Sequence, residues 1–171
     1  MACAPAALAL GLMVGPGAAV ADTPRSAAVA CHVAPLPGRA LAVGVPATAR
    51  PLGFPDAAGV CARGAVRVTG TGTISIRTDS PTVFGPAGDS ATTAGQGFPL
   101  PGVPAYSLIG RIGNGPWRYI GAGPTTLVGR GRLYLAVNDD YYSDNSGAFT
   151  AGVARCLPVL PLPGCGVLCT V

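Results

Sequence analysis

Residues 138 to 147 read NDDYYSDNSG, and this stretch holds three of the chain's seven acidic side chains, Asp139, Asp140 and Asp144, with two of its three asparagines, Asn138 and Asn145. Carboxylates this close repel one another unless water or a cation intervenes. A hard cation such as Ca²⁺ takes about six to eight oxygens from carboxylates, Asn carbonyls, backbone and water, and the loop offers most of such a shell. The spacing, the sixth-position glycine and the closing Glu of an EF-hand are missing, so a calcium site here is of another kind. Asn, Asp, Ser and Gly are equally the residues of polar hairpin turns, and by composition alone both readings stand. Tyr141 and Tyr142 offer aromatic faces to the C–H face of a sugar, or pack as a hairpin edge.

Other reactive chemistry is scarce. All 11 basic residues are Arg, all 7 acids are Asp, and there is one His, His32. Lysine Schiff bases and P-loops are thereby excluded. A Ser-His-Asp site would have to recruit His32 from an irregular segment, and a glycosidase would need two opposed carboxylates. Asp79 and Asp89 are the candidates to face the 139–144 cluster, but a calcium-bound carboxylate is a poor proton donor. The sequence therefore argues against an enzyme. The arginines are scattered rather than gathered into a stripe, which argues against nucleic-acid binding.

The elements that must hold the loop are strands. At 171 residues the chain allows one domain, and its 26 Gly and 18 Pro punctuate short apolar alternations. Val66 and Val68 share a face of one expected strand, and Ile74 and Ile76 that of the next. Leu108 and Ile112 fall in a third, and Trp117 to Ile120 make a fourth, with Trp117 read as core or strand surface. Leu133, Leu135 and Val137 point one way, as do Phe149, Ala151 and Val153. No stretch carries a 3.6-residue stripe. The expected fold is an all-β sandwich over 41–155 whose end loops are left for function.

Residues 1–21 are uncharged and apolar, ending Ala19-Val20-Ala21, and read as a signal peptide. Secretion is the expectation, with no membrane attachment after cleavage. Residues 22–40 are Ala/Pro-rich without a strand pattern, and 156–171 form a Pro/Cys-rich tail. The mature chain would keep Cys31, Cys61, Cys156, Cys165 and Cys169 in an oxidising space, so disulfides are expected and their pairing is open. No CxxC pair exists, and His32 beside Cys31 lacks zinc-finger spacing.

Three motifs carry a family resemblance: GPAGD (85–89), FPLPGVPAYSLIGRIGNG (98–115) and GRLYLAVNDDYYSDNSGAFTAGV (131–153). In this order they resemble the bacterial galactophilic PA-I-type lectins, over about residues 41–155. The resemblance implies a jelly-roll-like, galactose-binding-domain-like β-sandwich with one Ca²⁺ at the end of the sheets, the ion itself binding two sugar hydroxyls. Its metal-binding Asp falls on Asp139, and its consecutive ligands before Ser-Gly fall on Asp144 and Asn145. Carbonyl donors are implied at Thr78 or Asp79 and at Tyr141 or a neighbour such as Asp140. Of the sugar-contacting His and Gln, the Gln position is Gln96, whereas Thr93 stands at the His position. Candidate saccharide contacts are thus Gln96, Asp139, Asp140, Tyr141, Tyr142 and Asp144. The implied function is a secreted, non-catalytic, calcium-dependent lectin that binds a glycan, and the family includes homo-oligomers. The alternative is an extracellular structural domain whose loops Ca²⁺ merely locks.

Overall fold

The computed structural model of the chain describes residues 32–33, 40–49 and 60–156. Ten strands follow in order: β1 His32–Val33, β2 Leu41–Pro46, β3 Val60–Ser75, β4 Val83–Phe84, β5 Asp89–Thr93, β6 Pro104–Ala105, β7 Leu108–Ile112, β8 Arg118–Tyr119, β9 Thr125–Val137 and β10 Ser146–Arg155. Among the described residues there is no helix.

The hydrogen-bonded order is β2-β10-β3-β9-β7-β8, antiparallel throughout, while β5 and β6 form a separate pair. The long strand β9 changes partners along its length. Residues 125–132 pair with β3, and residues 133–137 pair with β7. A strand that passes from one sheet to another makes the corner of a sandwich, and Gly131 sits at this corner with φ +128°, where a side chain would be strained. The inner faces of the two halves then meet in one core. Val45, Val66, Val68, Phe149 and Val153 come from one side, and Leu108, Leu133 and Val137 from the other, all essentially inaccessible to water. The fold is the expected all-β sandwich.

Alternation built these strands as read: Leu133/Leu135/Val137 and Phe149/Ala151/Val153 all point inward. Several boundaries differ. Val66/Val68 and Ile74/Ile76 were assigned to two strands, but β3 runs unbroken from 60 to 75, and Ile76 falls just beyond it. Between these two pairs, Gly70 and Gly72 both stay in the ladder, opposite Ala151 and Phe149, with Gly72 bending the strand at φ +89°. The fourth expected strand, 117–120, shrinks to Arg118–Tyr119. His32 and Val33, expected in an irregular tail, bridge in parallel to Val60 and Cys61.

Cys156, assigned to the tail, is buried, donates its N–H to Ala65 O at 2.9 Å, and is disulfide-bonded. The expected signal peptide, most of the 22–40 segment, the tail beyond 156, and Cys31, Cys165 and Cys169 lie outside the described residues.

Candidate functional site

The 138–145 segment connects β9 to β10, so its ends are fixed by the β7–β9 ladder at Val137 and by the β3–β10 ladder at Ser146. Asn138 is wholly buried, and its backbone is tied to the link between β6 and β7: its N–H donates to Ser107 O at 2.8 Å, and its C=O accepts from Tyr106 N at 2.7 Å. Its side chain does something the sequence did not suggest. Nδ2 donates to Leu100 O and Oδ1 accepts from Leu100 N, both at 2.9 Å. Both ends of the amide are thereby used, so Asn138 is a clamp across 38 residues and is not a free donor to a metal.

The clamped partner is the 94–103 loop, closed on itself by Ala94 N to Val103 O and Gly102 N to Ala94 O, each 2.9 Å. It rests beside the acidic loop. A methyl group at Gly97 would lie 3.7 Å from both Cβ and Oδ2 of Asp140.

Asp139 is 3% exposed. Its Oδ2 accepts from Asn145 Nδ2 at 2.7 Å and its Oδ1 from Tyr141 N at 3.2 Å. Burial pushes the Asp139 carboxyl above the usual carboxylate range, against the lowering effect of the hydrogen bonds from Asn145, Tyr141 and the Asp140 backbone. Asn145 is also buried, and its Nδ2 reaches Ala47 O at 3.1 Å, tying the loop to the end of β2. Asp144 Oδ1 and Asn145 Oδ1 are both buried and accept no hydrogen bond. An unmet buried acceptor costs about 1–3 kcal/mol. Two of them on consecutive side chains, next to a buried carboxylate, form an all-oxygen set that a hard cation satisfies, while soft-metal ligands are lacking. Among the described residues no three His, Cys, Asp or Glu groups converge on one point. A cation here would therefore draw on Asp139, Asp144 and the Asn145 amide oxygen together with main-chain carbonyls and solvent.

Two cavities share this loop as a wall. One of about 180 Å³ is lined by Asp139, Asp140, Tyr141, Asp144 and Tyr106, closed by Ile76 and Arg77 just after β3. The other, of about 340 Å³, is lined by Asp139, Asp140 and Tyr142 together with Gly97, Phe98, Pro99 and Trp117.

Of the sequence-derived candidates, Asp139, Asp140, Tyr141 and Asp144 are brought together in the smaller cavity, and Asn145 stands hydrogen-bonded behind Asp139. Thr78 and Asp79 occupy the exposed turn beyond Arg77 and do not line it. Gln96 and Thr93 are exposed and line neither cavity. Tyr141 is 63% exposed at the rim. Tyr142 is a core residue whose hydroxyl donates to Val137 O at 2.9 Å, leaving only part of its ring to the larger cavity.

Tyr106, Phe98 and Trp117 carry no local signal in the sequence. Tyr106 takes φ +62°, a conformation non-glycine residues avoid unless the surroundings enforce it. Its phenol is pushed up by burial first and then by the nearby charges of Asp139, Asp140, Asp89 and Asp144, which keeps the hydroxyl a hydrogen-bond donor. Its ring packs on Phe84 at 5.0 Å and Phe98 at 6.1 Å between centroids. Trp117, read as core or strand surface, lines the larger cavity instead. The one hint in the sequence was that Phe98 and Tyr106 lie within the second family-like motif.

No family model matches the chain, and no curated protein matches it. Among solved structures, one described as "EclA N-terminal domain; PllA-like lectin" is similar over 67% of this chain and 96% of that chain, with 20% sequence identity and a TM-score of 0.46.

Proposed function

We propose that the chain is a non-catalytic, secreted, calcium-dependent carbohydrate-binding domain. The observation that carries this reading is the pair of buried, unpartnered oxygens on Asp144 and Asn145 beside the buried Asp139 carboxylate. The motif order around residues 85–89, 98–115 and 131–153 supports it independently. Bound calcium supplies a local positive charge whose remaining coordination positions suit vicinal hydroxyls.

The chain's own residues prepare that site. Asn145 and the Tyr141 amide fix the Asp139 carboxylate, and Asn145 fixes itself to β2 through Ala47. Asn138 holds the 94–103 loop at Leu100, next to the residues of that loop that line the larger cavity. Tyr106 presents a protonated hydroxyl among four carboxylates, a donor suited to a sugar oxygen. Asp140 and Tyr141 stand exposed at the mouth.

A second reading, a calcium-locked structural domain, draws on a specific observation: Thr93 and Gln96, the two positions the resemblance assigns to sugar contacts, line neither cavity. Thermal unfolding separates the two. The lectin reading expects the midpoint to rise from EDTA to Ca²⁺ and again when a methyl glycoside is added, because a ligand of the folded state stabilises by mass action. A calcium shift that no sugar extends supports the structural reading, and no calcium shift overturns both.

A further inference from the structure

We infer that the groove between Trp117, Phe98 and the acidic loop is a second subsite, which takes the apolar face of an aglycone or of the next ring of a glycan whose first ring is held at the 139–145 loop. The inference rests on the carbohydrate reading and extends it to a class of ligand.

The volume suits a ligand: about 340 Å³ lies within the range of small-molecule pockets, roughly 300–1,000 Å³. The lining is of mixed polarity: Phe98, Pro99 and Trp117 are apolar, and Asp139 and Asp140 are acidic. A pyranose is mixed in the same way, with C–H faces that stack on the electron-rich face of an aromatic ring and hydroxyl edges that seek acceptors. Asp139 and Asp140 also line the smaller cavity, so the groove and that cavity adjoin at these two residues.

The apolar wall is preorganised from behind. Arg111 on β7 places its guanidinium carbon 4.9 Å from the centroid of Trp117 and 5.2 Å from that of Tyr134 on β9, and its buried Nε has no hydrogen bond. The rings are what hold Arg111, and Arg111 in turn braces Trp117. Phe98 is braced by Tyr106 at 6.1 Å, and its loop by the Asn138 clamp. Surfaces fixed before binding lose little freedom when a ligand arrives.

Trp117 is the only tryptophan in the chain, so its fluorescence reports on this groove alone. The test uses the full chain in saturating Ca²⁺, titrated by calorimetry with methyl and phenyl glycosides of galactose, glucose, mannose and fucose. Phenyl glycosides should bind roughly three- to tenfold more tightly than the methyl glycoside of the same sugar. Phenyl but not methyl ligands should change the Trp117 emission. Trp117→Ala should remove the phenyl advantage and leave methyl affinity unchanged. Phe98→Ala, judged folded by its calcium-dependent melting, should reduce the advantage in case Trp117→Ala does not fold. Equal affinity for methyl and phenyl glycosides, or an advantage retained in both variants, would overturn the subsite while leaving the lectin reading intact. Calcium binding with no glycoside binding would overturn both.

Discussion

Replacing Asn138 by Ala removes one side-chain amide and nothing else that the loop depends on. The backbone bonds of residue 138, to Ser107 O and from Tyr106 N, do not involve the side chain and remain available to Ala. What goes is the pair of 2.9 Å bonds to Leu100. Each contributes about 0.5–1.5 kcal/mol net, and the bared Leu100 N–H and C=O, partly buried, add a desolvation cost, so the loss comes to about 2–4 kcal/mol. For a domain of this size that is a fall in melting temperature of about 5–12 °C.

Asn138→Asp makes the test sharper. The ionised carboxylate still accepts from Leu100 N but sets its second oxygen against Leu100 O, whereas the protonated acid is shaped like the amide and can donate to that carbonyl. Its destabilisation relative to native should therefore shrink on acidification through the carboxylate range. The assays are thermal unfolding followed by circular dichroism, and hydrogen exchange at the Leu100 amide, which should be protected in the native chain and exposed in Asn138→Ala. A melting temperature within about 1 °C of native, with Leu100 still protected, would refute the clamp.

Other outcomes follow from the same geometry. In EDTA, Asp144→Asn should melt at or above the native temperature, since it removes a negative charge that lies beside Asp139 and Asp140 and has a buried oxygen without a hydrogen bond; in Ca²⁺ that advantage should disappear. Because burial raises the Asp139 pKa, the folded chain holds that proton more tightly than the unfolded one. The resulting stability is full below the unfolded pKa and lost as pH rises through the folded value. Calcium-free native protein should therefore lose stability relative to Asp139→Asn as pH climbs out of the usual carboxylate range, and calcium affinity should fall as pH drops through the same value. Gly88 sits at φ +80° with the Ala105 carbonyl and Ser107 against it. Gly88→Ala should cost at least about 2 kcal/mol in urea unfolding, since it combines a left-handed backbone with a steric clash. Phe149, wholly buried in the core, should cost about 3–5 kcal/mol on truncation to Ala.

The core strands were legible because sheet pleating forces period-two burial: Leu133, Leu135 and Val137 announce a buried face with no knowledge of their partners. The 138–147 loop was legible for a different reason, since so much of a small stock of acids falls in it. What stayed hidden was long-range. No local pattern tells that Asn138 spends its amide on Leu100, that Trp117 lines one cavity with the acidic loop, or that Tyr106 bends into a left-handed conformation near four carboxylates. The continuity of β3 was also hidden, because Gly70 and Gly72, which lie between its two apolar pairs, serve as points of close approach and bending inside one strand. Tyr142 has a second role that its place in a polar loop does not suggest: its hydroxyl is fastened to Val137 O and it joins the core, while it also lines the larger cavity.

The most direct test of the central claim is calorimetric titration of a methyl glycoside panel into the full chain, once with Ca²⁺ and once with EDTA. The account expects saturable heat for at least one sugar in Ca²⁺, none in EDTA, and none in Ca²⁺ for Asp144→Ala. Sugar binding that persists in EDTA, or that survives Asp144→Ala, would contradict it.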